Sequence, residues 1–305
     1  MRSALSTSWN AFRHGQGRDL VFEIQKLGFE EVELSFNLTS SIVEEIGLYA
    51  AQGAIKISSV HNYCPIPPGL TPAQALPDCY AMSSCNEQER LQAVQFTKRS
   101  IDTAHHLGAR SVVLHCGRVE IPDRTRPLIK LLECGKKDTP EFIRLRKELI
   151  EERISKAQPF FENTLKSLAA LNSYAREKNV LLGVETRYYH REIPTFEEIG
   201  IILKEFDNSQ IGYWHDTGHA QVTENLGIAK HKDFLDSYGK RLIGLHVHDS
   251  VGGDDHRAPG EGNFDFTLIK PYLNESITCV IEAHHPATAS QIKRAQALVE
   301  EIGNG

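Results

Sequence analysis

Eight short apolar runs alternate with longer amphipathic stretches along the chain, and this alternation constrains the fold more than any other feature. Strands that alternate with helices indicate a parallel sheet, because each helical crossover returns the chain to the same edge. Eight such units within 305 residues predict an α/β fold, a closed (β/α)₈ barrel, with a single domain over residues 1–305. The predicted strands are Ser3–Ser8, Glu31–Phe36, Ile55–His61, Ser111–His115, Val180–Arg187, Ile211–Asp216, Leu242–His248 and Ile277–Ala283.

Three of the intervening stretches show a clear helical period, and two others are long loops. Residues 18–28, 89–108 and 291–303 each place apolar side chains at helical spacing and end at a glycine. Residues 62–88 and 116–145 are too long for plain connections and follow the third and fourth predicted strands. We expect both at the rim where the strands end, either as lids or only as barrel caps or contacts to another subunit.

The composition argues against some classes of function. The formal charge is −6, from 34 basic and 40 acidic side chains, which disfavours a broad nucleic-acid-binding face. The sequence has no run of about 18 apolar residues to span a membrane, and its N-terminus lacks the apolar core of a signal peptide. None of the six cysteines forms a C-x-x-C pair. We therefore expect scattered reduced thiols and a cytoplasmic protein.

Four predicted strands place an acid or a histidine inside the barrel near their C-terminal ends. Alternate residues of a barrel strand face the interior. In LLGVETR, IGYWHD, LIGLHVHD and CVIEAH, the parity that turns the glycine or the valine inward also turns one carboxylate or imidazole inward. These residues are Glu185, Asp216, His246 and Glu282.

Three carboxylates that converge in a barrel need a counter-charge, because they repel one another and lose their hydration. A divalent cation would supply that charge. Carboxylates together with a histidine form a ligand set suited to Mn²⁺, Zn²⁺, Co²⁺ or Mg²⁺. The pattern therefore predicts one divalent metal ion at the barrel mouth, with Zn²⁺ or Mn²⁺ favoured.

Further histidines and an acid follow other strands at the same rim. A single histidine at a strand end is more often a hydrogen-bonded structural residue than a metal ligand. Their joint appearance after so many strands favours a metal site. These residues are His61, His115, His219, Asp254 and His256.

The sequence resembles the xylose-isomerase-like barrel superfamily, which contains sugar isomerases and epimerases, related dehydratases and the endonuclease IV family. The resemblance covers nearly the whole chain, and its motifs are VETR, HDTGHA, HVHDS, DDHRAPGEG and VIEAH. In ketose epimerases of this group, one metal is bound by Glu, Asp, His and Glu, which match Glu185, Asp216, His246 and Glu282. In endonuclease IV relatives, three zinc ions have nine ligands, and the other five match His61, His115, His219, Asp254 and His256. All nine are present, so the ligands do not separate the subfamilies.

The first interpretation is a metal-dependent isomerase or epimerase of a sugar, polyol or sugar phosphate. This chemistry removes a proton beside a carbonyl, and a metal that chelates the carbonyl and a neighbouring hydroxyl stabilises the enediolate. A carboxylate on each face can take and return the proton, and the resemblance implies Glu185 and Glu282 in these roles. Two of the residues expected to bind substrate are arginines. For each of them, an ion pair with an acid of the rim is an equally good interpretation. The residues expected to bind substrate are Arg187, His190, His248 and Arg257.

The second interpretation is a zinc phosphodiesterase of the endonuclease IV type acting on abasic DNA, in which three metals clamp a phosphate and activate a water. The loop NYCPIPPGL has no basic residue, whereas GRVEIPDRTRPLIK has four, so the loops do not decide between DNA and a sugar as partner. A dehydratase or lyase acting on an oxidised sugar would use the same residues. A non-enzymatic barrel fits a full ligand set poorly. The sequence favours isomerisation or epimerisation and is compatible with a homo-oligomer.

Overall fold

Eight parallel strands close into a barrel in the computed structural model, which describes residues 2–304. Each of the eight predicted strands contains one strand of the barrel, so the predicted (β/α)₈ fold is confirmed. In chain order the barrel strands are Ala4–Ser6 (β1), Glu31–Leu34 (β2), Lys56–His61 (β3), Ser111–Leu114 (β4), Leu181–Glu185 (β5), Ile211–Asp216 (β6), Leu242–Val247 (β7) and Thr278–Ile281 (β10).

The strands follow one another around the barrel in chain order, and β10 closes it by pairing with both β7 and β1. The register brings the strand ends level with one another. Asp216 on β6 is paired with His246 on β7, and His246 is paired with Val280 on β10. Because all strands run in the same direction, the side chains at their C-terminal ends converge at one mouth of the barrel.

Helices surround the barrel, and the three predicted helical stretches correspond to α1, α3 and α9. The helix α3 ends at Gly108, which has a φ of +69° and supplies the left-handed stop that the sequence predicted. None of the described helices combines the length and the apolar character that crossing a membrane requires. The helices are Gly17–Lys26 (α1), Ser40–Ala51 (α2), Glu87–Leu107 (α3), Thr125–Glu133 (α4), Pro140–Lys178 (α5), Phe196–Glu205 (α6), Thr217–Asn225 (α7), His231–Tyr238 (α8) and Ala289–Asn304 (α9).

The segment between β7 and β10 departs from the predicted alternation of strand and amphipathic helix. It forms an antiparallel hairpin, Asp249–Val251 (β8) and Asp254–Arg257 (β9), followed by two short 3₁₀ helices. The sequence DSVGGDDHRAPGEGNFDF is rich in Gly, Pro and Asp, which favour turns over helix. The expectation of an amphipathic helix in every unit is therefore wrong for the seventh unit.

Two long segments lie at the C-terminal ends of β3 and β4, as their lengths predicted. The first connects β3 to α3 and brings Asp78 Oδ1 to 3.7 Å from His115 Nδ1. The second contains α4 and the beginning of α5, a helix of 39 residues. Both segments therefore belong to the rim of the mouth, and the first one reaches a residue inside it.

One aromatic side chain fills the barrel interior below the mouth. Trp214 on β6 is fully buried, and its ring lies 5.1 Å from the ring of His246. A Cβ on Gly183 would lie 2.8 Å from the Trp214 ring, and one on Gly244 would lie closer still. The interior is therefore packed, and a ligand must bind above Trp214. The apolar side chains around it are Ala4, Val113 and Val280.

Candidate metal centre

Four polar side chains meet at the centre of the barrel mouth, at or just after the ends of β5, β6, β7 and β10. Each offers one oxygen or nitrogen atom, and these atoms all lie within 4.8 Å of one another. All four side chains are buried. The structure thus brings together the residues that strand parity turns into the barrel. This group, the mouth cluster, consists of Glu185, Asp216, His246 and Glu282.

Carboxylates hold His246 from both sides. Its Nδ1 lies 2.8 Å from Glu185 Oε1 and 3.0 Å from Glu282 Oε2. Its Nε2 lies 3.1 Å from each carboxylate oxygen of Glu33, to which Ser59 also donates a hydrogen bond. Burial lowers the pKa of His246, but Glu282 and Glu33 outweigh this effect and raise the pKa well above its ordinary value. A carboxylate on the second ring nitrogen is the usual support of a metal-binding histidine, and Glu33 occupies that place.

Sequence analysis did not select Glu33, although the signal was present in EVELSF. Val32 and Leu34 are fully buried in the core between the strands and the helices. Because side chains alternate along a strand, Glu33 must then face the barrel interior. Strand parity, applied to the second strand as well, predicts that Glu33 faces the barrel interior.

The segment GYWHDTGHAQ forms the end of β6 and the first turns of α7. Asp216 Oδ1 accepts a hydrogen bond from the backbone N–H of His219 and caps the helix. Asp216 Oδ2 is buried and has no hydrogen-bond partner among the described residues, although it lies 3.2 Å from His219 Nδ1 and 3.8 Å from His246 Nδ1. The glycine of the motif is required because a Cβ on Gly218 would collide with the ring of His248. The segment is therefore a buried strand end, with one carboxylate oxygen left for a ligand.

Glu185 is tied to two cationic partners. Its Oε2 lies 2.6 Å from Arg187 Nη1 and 2.8 Å from His115 Nε2. Burial raises the pKa of Glu185, but Arg187 and His115 outweigh this effect and lower the pKa well below its ordinary value. Arg187 is paired with Glu192 as well, at 3.1 Å. Glu185 is therefore ionised at neutral pH, and Arg187 is engaged by two acids at the mouth.

Glu282 lies in a different charge environment from Glu185. Its Oε2 is 3.0 Å from His246 Nδ1 and 3.8 Å from His256 Nε2. Burial raises the pKa of Glu282 to about 7, although His246 and His256 act to lower it. Two carboxyl groups of one cluster thus have pKa values shifted in opposite directions in the metal-free protein.

The donor chemistry of the mouth cluster fits a divalent cation. Three carboxylates and one imidazole are a mixed oxygen and nitrogen donor set of the kind that binds Zn²⁺ or Mn²⁺. The Oδ2 of Asp216 points to the same conclusion, because a buried carboxylate oxygen that accepts no hydrogen bond is costly.

A second group of possible ligands shares Glu185 with the mouth cluster. One atom each of His61, His115 and Glu185 lie within 4.8 Å of one another. Burial lowers the pKa of His61 to about 4, with His115 acting in the same direction. Burial lowers the pKa of His115, but Glu185 and Asp78 outweigh this effect and raise the pKa to about 9. Asp78, which sequence analysis did not select, reaches this group from the long segment after β3.

A third group lies on the side of the mouth formed by α7 and the β8–β9 hairpin. One ring nitrogen each of His219, His248 and His256 lie within 4.8 Å of one another. Asp255 Oδ2 lies 3.0 Å from His256 Nδ1 and 3.5 Å from His219 Nε2. This group therefore contains an acid, but a different one from the acid that the sequence predicted.

Asp254 does not join the third group. Its side chain is 63% exposed and pairs with Arg257 at 2.8 Å. Alternation along β9 would place Asp254 and His256 on one face. His256 has a φ of +53°, which breaks the alternation and leaves Asp255 beside the histidine rings. The structure thus corrects the prediction, with Asp255 in the position expected of Asp254.

The other predicted substrate-binding residues lie in three different places. His248 is in the mouth, where its Nε2 lies 2.8 Å from Asp216 Oδ1 and its Nδ1 accepts a hydrogen bond from the backbone of His256. His190 lies outside the mouth, in the wall of a cavity beside it. Arg257 borders a shallower depression of about 290 Å³ and donates a hydrogen bond to a backbone carbonyl. The structure therefore brings only Arg187 and His248 to the mouth cluster.

Comparison with known sequences identifies the family. The sequence profile described as "Xylose isomerase-like TIM barrel" matches residues 21–302. A curated relative, the uncharacterized protein y4fM of Sinorhizobium fredii, is 26% identical over 242 residues. That match covers 77% of this chain and 68% of the relative.

Comparison with solved structures finds the same fold over the whole chain. A D-tagatose 3-epimerase-like protein superposes with a TM-score of 0.69 at 19% identity, covering 99% of this chain and 97% of that one. The 3-keto-D-glucoside 4-epimerase YcjR of E. coli superposes with a TM-score of 0.68 at 14% identity, covering 99% of both chains. At such identities the likeness is one of fold.

Proposed function

Because the chain belongs to the xylose isomerase-like TIM barrel family, we propose that it isomerises or epimerises a sugar or a related polyol with one divalent metal ion. The observation that carries the proposal is the mouth cluster, in which four buried donors lie within 4.8 Å of one another. The names of the two solved structures, a D-tagatose 3-epimerase-like protein and a 3-keto-D-glucoside 4-epimerase, support the same reaction class.

The metal would be held by the mouth cluster, and Glu33 would position its histidine. When bound, a divalent ion supplies a Lewis acid that stabilises the negative charge developing beside a substrate carbonyl. Trp214 closes the barrel beneath the cluster, so the substrate approaches from the rim. His248 and Arg187, which lie at the mouth, are suited to bind substrate hydroxyl groups.

Two carboxyl groups of the cluster would carry the proton. Glu185, kept ionised by Arg187 and His115, takes the proton from the carbon beside the carbonyl. Glu282 is the second carboxyl group of the cluster, and it would hold the other proton. Glu282 then delivers that proton to the opposite face of the same carbon, which inverts its configuration.

A substitution of Glu282 tests this division of labour. With a sugar substrate in deuterated water and saturating metal, the wild type should epimerise the reacting carbon and incorporate deuterium there. E282Q should epimerise ~10²–10⁴-fold more slowly, the usual loss for a general acid or base, yet still exchange the carbon-bound hydrogen through Glu185. Glu44→Gln, an exposed glutamate on α2, is the matched control and should behave as the wild type. Full epimerase activity in E282Q would contradict the assignment.

A second candidate, a phosphodiesterase acting on abasic DNA, is favoured by one observation. Two further ligand groups, one with His61 and His115 and one with His219 and His256, adjoin the mouth cluster and provide donors for additional metal ions. The same preparation should therefore be incubated with an abasic duplex in ¹⁸O-labelled water. Solvent ¹⁸O in the phosphate product, without hydrogen exchange in any sugar tested, would replace the epimerase proposal by this one.

A further inference from the structure

A cavity of about 480 Å³ lies beside the mouth cluster, and we call it the side cavity. Its walls come from the first half of α5, from the loop that follows β5, and from the corner between α7 and α8. The volume is within the range of small-molecule sites, roughly 300–1,000 Å³. No residue of the mouth cluster lines it, so the side cavity is a separate compartment next to the reacting centre.

Only one layer of side chains separates the side cavity from the mouth. Arg187 lines the cavity, and its Nη1 lies 2.6 Å from Glu185 Oε2 on the other side. Tyr188 lines the cavity as well, and its ring centroid is 5.0 Å from that of His219. A molecule bound at the mouth and extended past Arg187 and Tyr188 would enter the side cavity.

Much of the lining of the side cavity is apolar. Ile150, Ile154 and Ala157 form one stripe along α5, at the i, i+4 and i+7 positions that share a helix face. Ile154 is 71% exposed, which is unusual for an apolar side chain at a concave surface. Phe196 and Phe234 face the stripe from the other elements, and their rings lie 5.1 Å apart in an edge-to-face contact.

The charged groups that line the side cavity tend to exclude anions. Its two arginines both have acidic partners, since Arg153 makes two hydrogen bonds to Glu198 and Arg187 pairs with Glu192. A third glutamate, Glu197, lines the cavity without an additional cation, so the lining carries more acids than bases. A phosphate group would meet no free cation there and would be repelled.

His190 provides a polar ring that is free to recognise a ligand in this wall. Its backbone N–H donates a hydrogen bond to Thr125, but its ring has no hydrogen-bond partner among the described residues. Burial lowers the pKa of His190 to about 4, with Arg153 acting in the same direction, so the ring is neutral at pH 7. A neutral imidazole offers one donor and one acceptor to an uncharged ligand such as a phenol or an ether.

We propose that the side cavity binds an uncharged apolar or aromatic group attached to the sugar, so that the substrate is a glycoside-like molecule whose ring also carries the carbonyl that the proposed chemistry requires. This inference rests on the proposed sugar chemistry at the mouth cluster. The sugar would occupy the mouth, and its substituent would pass Arg187 and lie between the isoleucine stripe of α5 and the two phenylalanine rings. Free sugars would leave the cavity empty, and sugar phosphates would present a charge that the lining disfavours.

Equilibrium binding tests the proposal without any need for turnover. Isothermal titration of the full-length, metal-loaded protein should show that phenyl β-D-glucopyranoside binds at least tenfold more tightly than methyl β-D-glucopyranoside. Glucose 6-phosphate should bind no more tightly than the methyl glycoside. Ile154→Asp should remove the preference for the phenyl glycoside and leave the binding of the methyl glycoside unchanged. Since Ile154 is exposed, this variant should fold normally.

The control is Ile143→Asp, which changes an exposed isoleucine of the same helix that does not line the cavity. It should retain the phenyl preference. Saturation-transfer NMR adds a second readout, since the phenyl protons should receive more saturation from the protein than the sugar protons. Undetectable binding of the phenyl glycoside, equal affinity for the two glycosides, or an unchanged preference in Ile154→Asp would overturn the inference. A phenyl preference without hydrogen exchange in any sugar would leave the cavity assignment standing and remove the epimerase proposal instead.

Discussion

Glu33 holds the side of His246 that faces away from the other carboxylates of the mouth. Both of its oxygens lie 3.1 Å from His246 Nε2, which leaves Nδ1 pointing into the mouth cluster. We expect E33Q to weaken metal binding 10- to 100-fold, because a neutral amide supports the basicity and orientation of a metal-binding histidine less well. A competition titration of Zn²⁺ against a chromophoric chelator would measure the change.

The matched control is Glu31→Gln on the same strand. Glu31 pairs with Lys56 at the opposite end of the strand, so its replacement should leave the metal affinity unchanged. Thermal unfolding of both metal-free variants would separate a loss of metal affinity from a loss of stability. Wild-type affinity in E33Q would show that His246 does not need this partner.

At the residue scale, strand parity was the most informative signal in the sequence. It selected the four residues of the mouth cluster, because side chains alternate along a strand and each of these strands has a polar residue at or next to its C-terminal end. It failed at Asp254, because the left-handed backbone of His256 breaks the alternation on β9. Strand parity could not predict Asp78, because this residue lies on a loop, and the side chains of a loop do not alternate regularly.

At the scale of secondary-structure elements, a contact between two buried histidines connects β6 to α8. His215 Nε2 and His231 Nε2 lie 2.9 Å apart, and Tyr213 is hydrogen-bonded to the other ring nitrogen of His215. Burial lowers the pKa of His231 to about 4, although Asp216 acts to raise it. The pair is therefore neutral in the folded protein at pH 7, and one ring donates to the other.

This pair should make the fold sensitive to acid. The pKa of His231 rises from about 4 to its ordinary value of 6.5 on unfolding, so the unfolded chain binds more protons between these values. Stability is therefore lost as the pH falls, by about 2 kcal/mol between pH 7 and pH 5 for this one group. His231→Gln, which can still hydrogen-bond to His215, should lose less of its unfolding free energy over that range in urea titrations.

The control for this comparison is His106→Gln, which changes an exposed histidine on α3. It should show the same pH dependence as the wild type. An identical loss of stability in His231→Gln and in the wild type between pH 7 and pH 5 would contradict the prediction.

The barrel strands were predictable from the sequence, whereas some of the connections were not. Apolar runs of four to eight residues bounded by turn residues define strands locally, and eight of them leave few alternatives to a closed barrel. The hairpin of β8 and β9 replaced an expected helix because its Gly, Pro and Asp residues favour turns. The side cavity depends on α5, the loop after β5 and the α7–α8 corner meeting in space, which local patterns do not specify.

At the scale of the whole molecule, the barrel concentrates negative charge at one end. Three carboxylates of the mouth cluster and Glu33 are buried within a short distance of one another, and His246 lies between them. The packed floor around Trp214 keeps water from reaching these groups from below. His246, whose pKa is raised, supplies a counter-charge in the metal-free protein, and a bound divalent cation would add a stronger one.

Removal of the metal should accordingly lower the melting temperature without unfolding the barrel. A ligand present at about 100 times its Kd stabilises the folded state by about 2.7 kcal/mol, which corresponds to roughly 4 °C for a chain of this size. The metal-loaded protein should lose this increment in excess chelator and regain it on addition of Zn²⁺ or Mn²⁺, while its far-UV circular dichroism at 25 °C stays constant. Asp216→Asn, which weakens one ligand, should show a smaller shift.

Elemental analysis should give one metal per chain; three per chain would favour the phosphodiesterase, and an unchanged melting temperature after chelation would remove the metal from the proposed mechanism.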